Sequence, residues 1–195
     1  MFGRREVGRR LLRSIGWSVV GEKPPTDRYV LIAAPHTSNW DLPLTLACGA
    51  SFEVDVRWVG KHTLFTGVQG RIMRRLGGVP VERHHRTNFV QQMADLFDEH
   101  DKLALLVASE GTRSYTEHWK SGFYHIARTA NVPVVLGFLD YKRRECGLGP
   151  AIPVTGDVEK DMDQIRAFYK DKVGLHPKNF GPIRLRSEMS DERAG

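Results

Sequence analysis

The chain has 195 residues, of which 41% are hydrophobic, enough for one domain with a substantial core. Lys and Arg (29) outnumber Asp and Glu (23), giving a formal charge of +6, which favours an anionic partner. No run approaches the roughly 18 apolar residues of a membrane span, the amino terminus has no apolar signal core, and two cysteines provide no disulfide framework.

In chain order, residues 4 to 16 have helical periodicity, with Val7, Leu11, Leu12 and Ile15 on one side and Arg5, Arg9, Arg10 and Arg13 on the other. Residues 1 to 20 are therefore a basic amphipathic segment that lies on an anionic membrane surface or packs its stripe on the domain. Tyr29 to Pro35 is an apolar run ending in proline and reads as a buried strand. His36 follows, then the N-cap formers Thr37, Ser38 and Asn39, with Asp41 and Pro43 in a first helical turn. Val54 to Gly60 is a second strand with Lys61 at its end. Leu64, Phe65, Val68, Ile72 and Leu76 mark a helix face, with Phe65 and Ile72 expected in the core and Arg71, Arg74 and Arg75 nearby.

Gly77 to Arg83 is a short extended segment ending in an acidic-basic pair. The helix from Asn88 to Glu99 turns Phe89, Val90, Met93, Leu96 and Phe97 inward and Gln91, Gln92, Asp95 and Asp98 outward. Lys102 to Ala108 is a strand with Glu110-Gly-Thr-Arg113 just beyond it. A helix through Phe123, Ile126, Ala127 and Ala130 precedes a buried strand, Val132 to Tyr141. Pro150 to Gly156 reads as strand and turn, Val158, Met162, Ile165, Tyr169 and Val173 as one helix face, and residues 187 to 195 as a frayed polar tail. This alternation predicts an α/β fold: a single-domain sandwich over residues 1 to 195, with a mixed, largely parallel sheet flanked by helices. Its motif loops gather at one edge, where open α/β sheets bind ligands.

Those loops carry the chemistry. A neutral imidazole takes a proton from an attacking alcohol near pH 7, and a carboxylate beside it holds the ring and stabilises the imidazolium. His36 and Asp41 have these roles. Thr37, Ser38 and Cys48 are the local candidates for a covalent nucleophile, and none sits in a G-x-S-x-G elbow. Direct attack by a substrate hydroxyl is therefore preferred. Arg83 and Arg113 match phosphate oxygens with guanidinium forks. Lys61 is a further anion contact, and backbone amides at Gly111 and Thr112 are candidates for an oxyanion site. Trp119 and Lys120 border the same expected pocket. His84-His85, His118 and His125 lack zinc-ligand spacing, so no metal is expected.

Together these blocks resemble the glycerolipid acyltransferase family of the lysophosphatidate (1-acylglycerol-3-phosphate) type, over roughly residues 29 to 140. His36 and Asp41 correspond to its H-x4-D block, Gly77 to Arg83 to its G-x-I-F-I-D-R block, Glu110 to Ser114 to its E-G-T-R-S block, and Val132 to Val135 to its apolar last block. The resemblance implies His36 as base, Asp41 as its partner, and Arg83, Glu110 and Arg113 near the acceptor phosphate. It also implies an acyl thioester donor, acyl-CoA or acyl-carrier protein, as co-substrate without a further cofactor. The chain departs from the pattern at Pro35, where Asn is usual, at Pro80, where an aromatic is usual, at Ala108-Ser109, which replaces Phe-Pro, and at Leu136. All four leave the proton-transfer groups intact and bear on the acceptor.

The expected reaction is phospholipid biosynthesis: acyl transfer to a lysophospholipid hydroxyl by a cytoplasmic enzyme peripheral on the inner face of the membrane. An amino-acid lipid or glycolipid is the alternative acceptor. A His-Asp-Ser esterase using Ser38 or Ser109 and an idle membrane adaptor are the readings from other classes. Nucleic acid is not expected, because zinc fingers, helix-turn-helix grammar and aromatic-basic interleaving are missing.

Overall fold

The apolar run Tyr29 to Ala34 becomes the middle strand of the molecule, buried along nearly its whole length because helices cover both faces of a parallel sheet. The structure, a computed structural model, describes residues 3–81 and 86–188. Its strands are β1 (Ser18–Gly21), β2 (Arg28–Ala34), β3 (Val56–Lys61), β4 (Gly78–Val81), β5 (Leu103–Leu106), β6 (Val134–Asp140) and β7 (Glu145–Ile152). The helices are α1 (Arg4–Ser14), α2 (Asp41–Ser51), α3 (Gly67–Arg75), α4 (Arg86–Glu99), α5 (Gly122–Thr129) and α6 (Val158–Tyr169).

The strands form one 7-stranded sheet in the order β1-β7-β6-β2-β5-β3-β4. Leu31 of β2 lies opposite Leu106 of β5, and Ile32 opposite Leu136 of β6, both pairings parallel. β6 and β7 pair antiparallel, so the sheet is mixed and largely parallel, an α/β architecture. Because β5, β2 and β6 are parallel neighbours, the loops after them emerge side by side at one edge.

Alternate residues of each strand point to opposite faces, and this divides the core. Leu31, Ala104, Val135 and Leu139 pack with Leu44 and Cys48 of α2 and with Leu12 of α1. Val30, Ile32, Leu105 and Leu136 pack on the other face with Phe97 of α4, Phe123 of α5 and Met162 of α6. Each such buried leucine, isoleucine or valine contributes about 1.5 to 3 kcal/mol by leaving water. In α4, Met93 and Phe97 are buried while Gln91, Gln92, Asp95 and Asp98 are exposed, as the periodicity predicts.

Several expectations need correction. The segment after α1 contains an edge strand, β1, that pairs parallel with β7; its few residues are mostly exposed and carry no alternation. The last strand begins at Glu145 rather than Pro150, and Val173 lies beyond the end of α6. The carboxyl-terminal segment is held as far as Glu188, whose carboxylate pairs with Arg166 and accepts from the Leu185 amide; residues 189–195 lie outside the described residues.

Two helices leave apolar side chains in solvent. In α1, Leu12 is fully buried but Val7, Leu11 and Ile15 are exposed, because a stripe this wide exceeds the groove against α2. In α3, Gly70 lies so close to the Phe65 backbone that a Cβ has no room. Phe65 is therefore buried as expected, whereas Ile72, expected in the core, is 51% exposed beside Val68 and Leu76. Phe65 packs on Trp58, which points the same way along β3 as Val56 of the α2-side core. Both exposed stripes thus belong to one layer. No helix among the described residues is long and apolar enough to cross a membrane.

Candidate active site

β2 ends at Ala34 and α2 begins at Asp41, so the six residues of the H-x4-D block form the turn between a central strand and a helix start. The N-cap is Trp40 and makes no side-chain cap bond; the expected cap formers behave differently. Asp41, only 3% exposed, folds its carboxylate back over the loop. Its Oδ2 accepts from the Thr37 amide at 2.8 Å, the Ser38 amide at 2.9 Å and His36 Nδ1 at 3.0 Å. Its Oδ1 accepts from the Tyr141 hydroxyl at 2.6 Å.

Burial pushes Asp41 up, but the bonds from His36, Tyr141 and the Ser38 amide outweigh it and hold the carboxyl below its ordinary value. The ionised carboxylate can only accept, so His36 Nδ1 carries the proton and Nε2 presents a lone pair. The His36 side chain is 25% exposed, and no described residue hydrogen-bonds Nε2. The ring is therefore oriented from behind and open in front, as a general base must be.

Glu110 follows β5 and is fully buried. Its Oε1 accepts the His36 backbone N–H at 2.5 Å, so the two motifs meet through the loop backbone. Oε2 finds no partner among the described residues. Burial raises the carboxyl to about 8, against the His36 amide and with a contribution from the Asp41 charge. Glu110 is therefore mostly protonated near neutrality, and is a support for His36 rather than an anion-site charge.

The folded state keeps the Glu110 proton up to about pH 8, whereas the unfolded chain releases it near its ordinary value, so stability falls as pH rises between the two. Glu110→Gln keeps the acceptor and cannot ionise. The variant's unfolding free energy should match wild type below about pH 4.5 and exceed it at pH 9 by on the order of a few kcal/mol, as denaturation curves across pH would show.

Other expected site residues fall as follows. The Gly111 amide is consumed by a turn to the Ala108 carbonyl and is no oxyanion donor, whereas the Thr112 amide has no partner among the described residues. Gly111 has φ 68, and a Cβ there would meet Lys120 Cγ at 2.9 Å, so glycine lets the Lys120 stem cross the loop. Arg113 is exposed and forms no ion pair among the described residues, and its carbonyl accepts from Asn179. Lys61 ends β3, exposed, at the same sheet edge. Arg83 lies outside the described residues. Cys48 is buried, and contact with the Cys146 thiol together with burial pushes it well up, which removes it as a nucleophile. Ser38 Oγ accepts from the Trp40 amide, Ser109 Oγ is buried, and neither hydrogen-bonds His36.

A cavity of about 730 Å³ runs beneath the Glu110 loop between α4 and α5. Its walls include Val59, Val90, Val107 and Phe123, and Lys120, His118 and His125 also border it. The volume and lining suit a single ligand chain with a polar end.

Two parts of the site carry no motif in the sequence. Tyr141, just beyond β6, obeys the same strand-end rule that singled out His36 and Glu110. The segment after α6 straps both motif loops: the His176 amide donates to Thr37 Oγ1, Asn179 holds the Arg113 carbonyl, and Trp119 pairs with Leu185. It has no periodicity to mark it in the sequence.

The chain matches the family model described as Acyltransferase over residues 17–135. Among solved structures it is similar to the 1-acyl-sn-glycerophosphate (LPA) acyltransferase PlsC from Thermotoga maritima. The two share 18% identity with a TM-score of 0.55, covering 85% of this chain and 74% of that one, a likeness of fold. No curated protein is significantly similar in sequence. The family match spans more than half of the chain and takes in β2, the His36 turn, α2, β5 and the Glu110 loop; the chain belongs to the Acyltransferase family.

Proposed function

We propose that the chain moves an acyl group from a thioester, acyl-CoA or acyl-carrier protein, to the hydroxyl of a lysophospholipid, with lysophosphatidate as the acceptor of first choice. The observation that carries the reading is the His36 ring, fixed through Nδ1 by Asp41 and open at Nε2. Nε2 takes the acceptor's hydroxyl proton as its oxygen attacks the thioester carbon. The C–O bond forms, the C–S bond breaks, and the imidazolium returns the proton to the departing thiolate. That no serine or cysteine among the described residues hydrogen-bonds the His36 ring supports direct attack over an acyl-enzyme. Arg113 and Lys61, without an ion pair among the described residues, and Arg83 by family resemblance are the anion contacts for the acceptor phosphate. The cavity beneath the Glu110 loop takes an acyl chain. The named activity of the similar fold, an LPA acyltransferase, supports the same acceptor.

The exposed stripes of α1 and α3, each beside arginines, support peripheral binding to an anionic membrane. Pro35 and Ala108, where the family differs, favour testing other lipids. With one acyl-CoA, transfer to lysophosphatidate and to phosphate-free lysolipids should be compared in wild type and Arg113→Ala. The expected result is preference for the phosphate, reduced about tenfold or more by loss of a charge-assisted contact. Equal rates on a phosphate-free lipid, untouched by Arg113→Ala, would reject the phosphate assignment and leave the base chemistry standing.

A further inference from the structure

Asp41 is more fully bound than a simple His-Asp pair requires. Its Oδ2 serves the imidazole and two loop amides, and a separate element occupies Oδ1: the Tyr141 hydroxyl, at 2.6 Å. That residue comes from the turn after β6, 100 residues away in the chain, and lies outside the segment that matches the family model. Its position is over-determined. The Tyr141 amide donates to the Val173 carbonyl at 2.8 Å, and Trp17 packs edge-on against the ring, with centroids 4.9 Å apart at 89°. A tyrosine pinned by backbone and by a second aromatic, with its hydroxyl on a buried carboxylate, is placed rather than incidental.

We infer that Tyr141 is the positioning residue of the His36–Asp41 pair, holding the carboxylate plane under the imidazole and restraining its basicity. This rests on the reading of His36 as general base. An O–H···O⁻ bond this short is charge-assisted, and it draws negative charge towards Oδ1 and away from the oxygen that faces His36. Without it, Oδ2 carries more charge, the imidazolium is better stabilised, and more of His36 is protonated at a given pH. The carboxylate can also rotate about its amide contacts, which carries the ring off its line.

The other ionisable groups around the pair stay in place when only this hydroxyl is removed. They are Glu110 from the β5 loop, His176 from the carboxyl-terminal strap, and the Asp140–Arg143–Asp171 cluster beside Tyr141. Lys142 and Arg144 flank Tyr141 along a groove that also includes Ile15 and Leu175, and both are retained.

The test is Tyr141→Phe, which keeps the ring and its contact with Trp17. The pH–rate profile of kcat/KM should fall about tenfold near neutrality, with its acidic limb displaced to higher pH and the rate recovering in alkali. KM for both substrates and the melting temperature should stay close to wild type. A readout independent of turnover is the NMR titration of the His36 ring, assigned by the signal missing in His36→Ala; its midpoint should move to higher pH in Tyr141→Phe. A midpoint and acidic limb unchanged from wild type, or a loss uniform across pH with a lowered melting temperature, would overturn the inference. Failure of the base reading shows separately, as a His36→Ala enzyme that still turns over at the wild-type rate.

Discussion

His36→Ala should lower kcat/KM for acyl transfer at least about a hundredfold, the contribution of a positioned general base, with little change in melting temperature. The ring is partly exposed and, among the described residues, its side chain hydrogen-bonds Asp41 alone, so its loss removes little packing. No described neighbour can replace it. The Glu110 carboxyl is raised to about 8 by burial, and its Oε1 is committed to the His36 amide, which alanine retains. Asp41 lies behind the ring with both oxygens occupied. Following free-thiol release and ester formation together checks the result, since both should fall by the same factor.

Asp41→Asn should be as damaging, roughly a hundredfold to ten-thousandfold in kcat, as when a base loses the carboxylate that sets its tautomer. The amide oxygen can still accept from Thr37 and Ser38, and the Tyr141 hydroxyl can turn to accept from the amide nitrogen, so the turn keeps its shape. The negative charge is gone, however, and a neutral amide stabilises an imidazolium far less than a carboxylate at 3.0 Å. Asp41→Ala should also unfold more readily, because the Thr37 and Ser38 amides lose a buried acceptor at about 1 to 3 kcal/mol each. The contrast checks the account: asparagine should lose activity with a melting temperature near wild type, and alanine should lose both.

The parts of this site legible in the sequence were those set by local pattern. Tyr29 to Ala34 announces a buried strand because both its faces are covered, and His36 is placed by the end of that strand. The pairing of β2 with β5 then brings Glu110 to His36, as expected from parallel neighbours. Contacts made across the fold were not legible. That Glu110 would be buried and largely protonated depends on desolvation in the folded core and on the nearby Asp41 charge, which no local pattern encodes. Tyr141 reaches Asp41 only because β6 is the other neighbour of β2. The strap from Gly174 to Leu185 is irregular backbone, held by single contacts to Thr37, Arg113 and Trp119. Ile72 failed for a related reason: helical periodicity identifies an apolar face but not whether the sheet has room for it, and Gly70 gives the close approach to Phe65 instead.

The most direct measurement is thiol release by the wild-type protein from a long-chain acyl-CoA, with and without lysophosphatidate, alongside quantification of the diacyl product. The account predicts release that depends on the acceptor and matches ester formed mole for mole. Release at the same rate into water alone, with no ester made, would contradict it and identify His36 and Asp41 as parts of a hydrolase.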